Sequence, residues 1–378
     1  IRVLVVDDSP TACKLLRGVL ESDPGICVVG TAGDGLQAVK QVLSLKPDLV
    51  TMDLNMPVLD GYEATRRIME ARPTPIIVVS ALAVPKEQAV TFQALKAGAL
   101  DVVQKPTGLA SEDYAPIRDR LLSTVKTMAQ VKVLRRKPVG SQSGVPSEPV
   151  ACKPELDRTG STSPPIPSSA RSRPPKLVVI GSSTGGPAAL AALMKGLPAR
   201  FPIPIAVVQH ITPGFLGGLV EWLQRETVLP IEVVAGRTPL RGGRIYLPKD
   251  DHHLIVADQG TLDVNQGPLV SYVRPSATVL FESAARQFGS LVAGVLLTGM
   301  GDDGAVGFRT LKRQGAITFA QNEATCVVYG MPRAAMELGA VDAQLPPEAI
   351  CRALVELVCP TPSNASSSEN VISREKGV

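Results

Sequence analysis

Chemistry concentrates in the stretch Leu177 to Pro187, LVVIGSSTGGP, where an apolar run of strand character delivers Ser182, Ser183 and Thr184 to a turn and Pro187 opens an Ala/Leu-rich helix. Glycine tolerates the tight backbone of such a turn, proline suits a first helical position, and the unpaired N–H groups there attract negative charge. A turn of this kind either cradles a phosphate or presents a nucleophile. The dinucleotide fingerprint G-x-G-x-x-G fails because Ser183 stands where its second glycine belongs, and no G-K-[ST] follows. The pattern G-x-S-x-G fits, with Ser183 as its serine. A serine nucleophile needs a base, and the chain holds three histidines, His210, His252 and His253. His210 ends the apolar run PIAVVQH (204 to 210), whereas His252 and His253 stand at the entry to HLIVAD and read as solvated loop residues. An acid on the loop Met300-Gly301-Asp302-Asp303-Gly304 would orient the imidazole, although glycines at 299, 301 and 304 also suit an anion nest. Serine, histidine and aspartate after three strand ends favour ester hydrolysis. Their order along the chain differs from the Ser, Asp, His of α/β-hydrolases, which disfavours that fold.

A second constellation lies upstream. From Arg2 to about Val133 five apolar runs, VLVV (3 to 6), CVVG (27 to 30), LVTM (49 to 52), PIIVVS (75 to 80) and DVVQ (101 to 104), alternate with amphipathic helical patterns. Five strand-helix units imply a doubly wound parallel sheet. In the strand order 2-1-3-4-5, Asp7 and Asp8 after the first strand meet Asp53 after the third at the switch point. Three carboxylates on one rim repel one another unless a hard cation neutralises them, and Mg²⁺ suits the set. Ser80 and Lys105 end the fourth and fifth strands on the same rim. A hydroxyl and a cation beside three acids fit a transferred phosphoryl group, with Asp53 as its acceptor.

These elements need two domains to position them, which the length of 378 residues allows. Residues 1–133 form the first. A stretch with nine prolines and eight serines between Pro138 and Pro175 cannot build a core, so 134–175 reads as a flexible basic linker. Strand-helix alternation then returns with LVVIG, PIAVVQH, IYLP (245 to 248), HLIVAD (253 to 258), VAGVLLTG (292 to 299) and ITFAQ (317 to 321), a second parallel α/β domain over 176–360. Residues 361–378 read as a disordered tail. The net charge of +4 does not signal nucleic acid: residues 132 to 176 hold nine Lys/Arg against three Asp/Glu, and aromatics make up only 3% of the chain. No run of about 18 apolar residues and no leader is visible, so neither a membrane span nor secretion is expected, and the chain reads as a cytoplasmic monomer. The six cysteines form no C-x-x-C and no ligand cluster with the histidines.

Residues 1 to 133 resemble the response-regulator receiver family through DD (7 and 8), D-x-N-M-P (53 to 57), S-A (80 and 81) and K-P (105 and 106). The resemblance implies that Asp53 takes phosphate from a histidine kinase. Asp7, Asp8, Asp53 and the carbonyl of Asn55 would hold Mg²⁺, and Ser80 and Lys105 would contact the phosphoryl oxygens. Val102 stands where receivers commonly carry an aromatic switch residue, so the signal is expected to pass through Ser80 and the segment Ala81 to Lys86.

Residues 176 to 358 are similar to the catalytic domain of the CheB-type protein-glutamate methylesterase family through IGSSTGGP, QHITPGF, VRPSATVLFES, LLTGMGDDGAVG and AQNEATCVVYGMPRAA. That similarity implies Ser183 as nucleophile, His210 as base and Asp303, rather than Asp302, as orienting acid. The Thr184 amide and the Met300 backbone would be the oxyanion donors. Ser182 replaces a frequent alanine and is a rival nucleophile. The fold implied is a pair of doubly wound parallel-sheet domains, a flavodoxin-like receiver and a Rossmann-like esterase domain. The expected activity is demethylation of glutamates and deamidation of glutamines on methyl-accepting chemoreceptors, without a cofactor for the ester step. The receiver would block the cleft until phosphorylated. The alternative is a non-catalytic adaptor that binds receptors; a transcription factor would need a compact basic recognition helix.

Overall fold

Alternating apolar and amphipathic segments build the first sheet as expected. The computed structural model describes residues 1–80, 93–95, 97–106, 114–131, 133 and 174–359. The segment Ala81 to Lys86, nearly all of the linker at 134–175 and the tail at 361–378 lie outside the described residues. Strands β1 (Arg2–Val6), β2 (Cys27–Ala32), β3 (Leu49–Met52), β4 (Ile76–Ser80) and β5 (Asp101–Gln104) form one parallel sheet in the order β2-β1-β3-β4-β5. Helices α1 (Pro10–Glu21), α2 (Gly35–Leu45), α3 (Gly61–Ala71) and α4 (Tyr114–Met128) cover it. Side-chain caps start three of these helices: Ser9, Asp34 and Asp60 each accept a backbone N–H of the first turn. Central strands β3 and β4 are buried throughout, as a sheet covered on both faces requires.

The second sheet has seven strands. In spatial order these are β15 (Ala343–Leu345), β14 (Ile317–Gln321), β13 (Val292–Leu296), β6 (Leu177–Ser182), β7 (Ile205–Gln209), β10 (Ile245–Pro248) and β8 (Ile231–Val234). Its helices are α5 (Gly186–Met194), α6 (Leu216–Glu226), α7 (Ala277–Phe288), α8 (Ala305–Arg313), α9 (Met331–Glu337) and α10 (Pro347–Val358). Every inner strand is buried along its whole length, while edge strands β8 and β15 are largely half-buried. The chain order 13-6-7 at the centre brings the ends of β13, β6 and β7 side by side.

One expectation is corrected. HLIVAD does not join the parallel sheet: β11 (His253–Asp258) pairs antiparallel with β12 (Thr261–Asn265), which pairs with β9 (Thr238–Pro239). Only Gln259 and Gly260 separate β11 from β12, and so short a connection can make a hairpin but not a parallel crossover. Edge strands β8 (IEVV) and β15 (AQL), unassigned in the sequence reading, are short and largely half-buried.

Candidate active site

β6 and β7 pair in register with Ser182 opposite Gln209, so the chain leaves adjacent strand ends at Ser183 and His210. The His210 amide donates to the Ser182 carbonyl at 2.9 Å and extends the ladder to the site. Buried Gln209 fixes both exits: its Nε2 donates to the Ser183 carbonyl at 2.7 Å and to the His210 carbonyl at 2.9 Å. Its Oε1 accepts the Ser182 hydroxyl at 2.7 Å. Ser182 is therefore fully buried and held in an internal bond, while Ser183 is its neighbour at the turn. Gly185 caps α5 with φ of 76°, and a Cβ there would meet Val327 Cβ at 2.5 Å, so only glycine lets the chain reverse directly after Ser183.

The acid comes from the loop after β13. Asp303 Oδ2 lies 2.8 Å from His210 Nε2 and also accepts the Ala277 amide at 2.6 Å. Its Oδ1 accepts the Ser276 hydroxyl at 2.6 Å and the Thr278 amide at 3.3 Å. Burial alone would raise the Asp303 carboxyl, but the bond from His210 and its charge, with Ser276 and Ala277, outweigh that and hold it at about 2. Asp302 is exposed beside it and takes no part in these bonds. With Nε2 turned to a carboxylate, Nδ1 is the ring nitrogen left to act as a base. Among the described contacts no hydrogen bond joins Ser183 Oγ to His210; such bonds are often long before substrate arrives.

The Ser183 amide is committed to the Thr298 carbonyl at 3.0 Å, and Thr298 Oγ1 donates to the Thr184 carbonyl at 3.0 Å. Neither the Thr184 amide nor the Met300 amide donates to any acceptor among the described residues, which leaves both available to a developing oxyanion. His253, expected in solvent, is instead buried: its Nδ1 accepts the Ser276 amide at 3.1 Å and its Nε2 donates to the Pro268 carbonyl at 2.9 Å. It braces the segment that carries Ser276 to Asp303. The His252 Nδ1 pairs with the Asp250 carbonyl at 2.8 Å.

On the other sheet, Asp7, Asp8 and Asp53 present oxygens all within 4.8 Å of one another. Lys105 Nζ lies 2.7 Å from Asp7 Oδ2 and 3.4 Å from Asp53 Oδ1. Burial pushes the Asp53 carboxyl up to about 6; Lys105 opposes this and Asp7 adds to it. Ser80 is buried at the end of β4, its carbonyl accepting the Lys105 amide at 2.9 Å, and Asn55 is exposed two residues after Asp53. Three hard oxygen donors at this spacing fit a small divalent cation.

The two sheets meet over the serine site. Thr184 Oγ1 donates to Asp101 Oδ2 at 3.0 Å, and Thr127 Oγ1 lies 2.9 Å from Met300 Sδ. Burial pushes the Asp101 carboxyl up, against the pull of Arg120. Leu95, Val102 and Arg120 line one side of a cavity whose other walls include His210, Pro187 and Phe215. Its roughly 20 Å³ leaves room for about one water and none for an ester side chain. Sequence reasoning gave no role to Gln209, Ser276, Thr298 or Asp101. Ser276 had a visible signal, a serine before the apolar run of α7. Asp101 had none, because its contact exists only once two domains have met.

Asp303 also makes a test of the site's electrostatics. Its folded pKa lies below the ordinary value near 3.8, so the stabilisation is complete above about pH 4 and is lost as pH falls toward 2. Trp222, the chain's one tryptophan, is buried in α6 and reports unfolding of this sheet alone. Urea titrations followed by its fluorescence are expected to show wild type more stable than Asp303→Asn by roughly 2 kcal/mol at pH 5, with the gap closing below pH 3. A gap that is constant from pH 3 to 5 would contradict the assignment.

Known proteins share this organisation. A family model described as CheB methylesterase matches residues 178–354, and one described as response regulator receiver domain matches residues 3–111. The protein-glutamate methylesterase/protein-glutamine glutaminase 1 of Syntrophus aciditrophicus (strain SB) is 44% identical over 358 residues, 94% of this chain and 98% of that protein. Protein-glutamate methylesterase/protein-glutamine glutaminase 4 of Myxococcus xanthus (strain DK1622) is 46% identical over 335 residues, 88% of this chain and 90% of that one. The protein-glutamate methylesterase/protein-glutamine glutaminase of Nitrosospira multiformis is 41% identical over 359 residues, 95% and 97% of the two chains. With identity of this order running through both sheets and nearly the whole of each relative, the chain belongs to the CheB methylesterase family, the protein-glutamate methylesterases/protein-glutamine glutaminases, with a response-regulator receiver domain at its start.

Proposed function

We propose that this chain removes methyl groups from glutamate side chains of methyl-accepting chemoreceptors in the cytoplasm, and deamidates particular receptor glutamines. Ser183 is the nucleophile, His210 the base and Asp303 the acid that orients it. Ser183 Oγ attacks the γ-carbonyl carbon while its proton passes to His210 Nδ1. The amides of Thr184 and Met300 receive the oxyanion. Collapse breaks the C–O bond to the methoxy group, His210 returns the proton, and methanol leaves; for a glutamine the leaving group is ammonia. Water, deprotonated by His210, then attacks the acyl carbon and releases glutamate and free Ser183. The observation that carries this reading is the 2.8 Å His210–Asp303 bond at the sheet edge from which Ser183 emerges. A receptor-binding adaptor would have no use for a buried carboxylate held ionised against an imidazole.

Asp53 is the proposed phosphoacceptor, served by a histidine kinase. Asp7, Asp8, Asp53 and the Asn55 carbonyl are the groups to hold Mg²⁺, which when bound offsets the negative charge of an incoming phosphoryl group. Lys105 balances the remaining charge, and Ser80 faces the phosphoryl oxygens. The receiver holds the esterase closed, since Asp101 and Thr127 reach the two residues that carry the oxyanion amides. A tethered partner needs only a weak interface for this, and phosphorylation need shift it by a few kcal/mol.

Ser183→Ala and His210→Ala are each expected to lower methanol release by about 10⁴-fold or more, and Ser182→Ala to change it little. Loss of activity in Ser182→Ala with Ser183→Ala intact would move the nucleophile. For the regulatory contact, Asp101→Arg sets a second cation against Arg120 and leaves the Thr184 hydroxyl without its acceptor. Its unphosphorylated activity is expected to rise about fivefold or more toward the phosphodonor-stimulated rate, as a loss of ~1 kcal/mol or more from the closed state implies. Asp53→Asn should hold the basal rate and lose the stimulation. Unchanged basal activity in Asp101→Arg would refute the contact's role.

A further inference from the structure

Residues 266–275 connect β12 to α7 and carry two of the chain's exposed large apolar side chains, Leu269 at 57% and Tyr272 at 96% exposure. The amides and carbonyls of Val270 and Val273 bond each other at 3.2 and 3.0 Å, which makes Ser271 and Tyr272 the two central residues of a tight hairpin turn. Both have left-handed backbones, with φ of 49° and 62°. Turns of this shape favour Asn-Gly, and an aromatic residue there is strained. The ring makes no compensating contact among the described residues, where it is almost wholly exposed.

The base of the loop is rigid. Arg274 forks onto Asp251 at 2.8 and 2.9 Å and donates to the Gly267 carbonyl at 2.8 Å. Buried His253 ties the Pro268 carbonyl to the Ser276 amide. Ser276 then grips Asp303 at 2.6 Å. The tip is thus tethered near Asp303: three residues, Val273 to Pro275, lie between Tyr272 and Ser276, a span of at most about 14 Å of chain. A strained aromatic on a braced stalk whose base, Ser276, bonds Asp303 offers contact area at little entropic cost.

We propose that this loop is a docking prong for the polypeptide segment flanking the glutamate methyl ester, with Tyr272 as its main contact and Leu269 beside it. The inference rests on the reading of Ser183, His210 and Asp303 given above. Under that reading the ester sits on a side chain of another protein, whose backbone must lie across the cleft rim within reach of the prong. Tyr272 positions substrate and takes no part in bond breaking.

The test compares full-length Tyr272→Gly, Tyr272→Phe and wild type, each stimulated with a small phosphodonor, on a methylated receptor cytoplasmic fragment and on N-acetylglutamate γ-methyl ester. Tyr272→Gly is expected to raise KM for the receptor fragment about tenfold with kcat within about twofold, and to leave hydrolysis of the small ester unchanged. Because glycine relieves the left-handed strain, Tm should rise while KM worsens. Tyr272→Phe should keep wild-type KM. Unchanged KM for the fragment in Tyr272→Gly overturns the prong, as does an equal loss on both substrates, which would make the loop a support for Asp303. A wild-type dimer in sedimentation that dissociates in Tyr272→Gly would assign the ring to a second copy of the chain and equally overturn the proposal. Failure of the catalytic reading is separate, because it would appear as small-ester hydrolysis surviving in Ser183→Ala.

Discussion

The structure of the catalytic half depends on keeping one carboxylate ionised inside protein. Asp303 is buried, and an ionised carboxyl without partners is costly there. The Ser276 hydroxyl, the amides at the start of α7 and the His210 ring meet that cost together. Placing a helix N-terminus against an anion also uses the helix dipole favourably. Everything that orients His210 follows: the ring is fixed through Nε2, and α7 must pack where its first turn reaches the loop after β13. His253 and Arg274 then brace the segment leading into α7.

The parallel sheet does the rest of the positioning. Side-by-side strands end at one edge, so residues distant in sequence meet without long side chains, and the register Ser182 opposite Gln209 decides which residues emerge. Gln209 is central to this, since one buried amide group bonds Ser182, Ser183 and His210 at once. It also explains why two adjacent serines are not equivalent: the first hydroxyl is absorbed by the fold, and the second is the one the proposed function gives to chemistry.

Much of this was legible in the sequence because strand ends are readable as apolar runs and because scarce residue types narrow the choice. Three histidines left few candidates for a base, and a five-strand pattern with acids after its first and third strands set the receiver order observed. What escaped was long-range or weakly patterned. The antiparallel β11–β12 pairing was hidden because HLIVAD alone reads like any buried strand. The brace at His253 was mistaken for a solvent residue because its partners, Pro268 and Ser276, come from later in the chain. The Asp101–Thr184 bond joins residues 83 positions apart across two sheets, and no local pattern announces it.

The central claim is that ionised Asp303 accepts a hydrogen bond from Nε2–H of His210, which leaves Nδ1 as the unprotonated ring nitrogen. Nitrogen-15 NMR of histidine-labelled protein reads this directly, with His210→Gln assigning the resonance among the three histidines. For the neutral His210 ring the account predicts a protonated Nε2 and an unprotonated Nδ1, with that preference lost in Asp303→Ala. An Nδ1-protonated ring in the wild type, unaffected by Asp303→Ala, would contradict it.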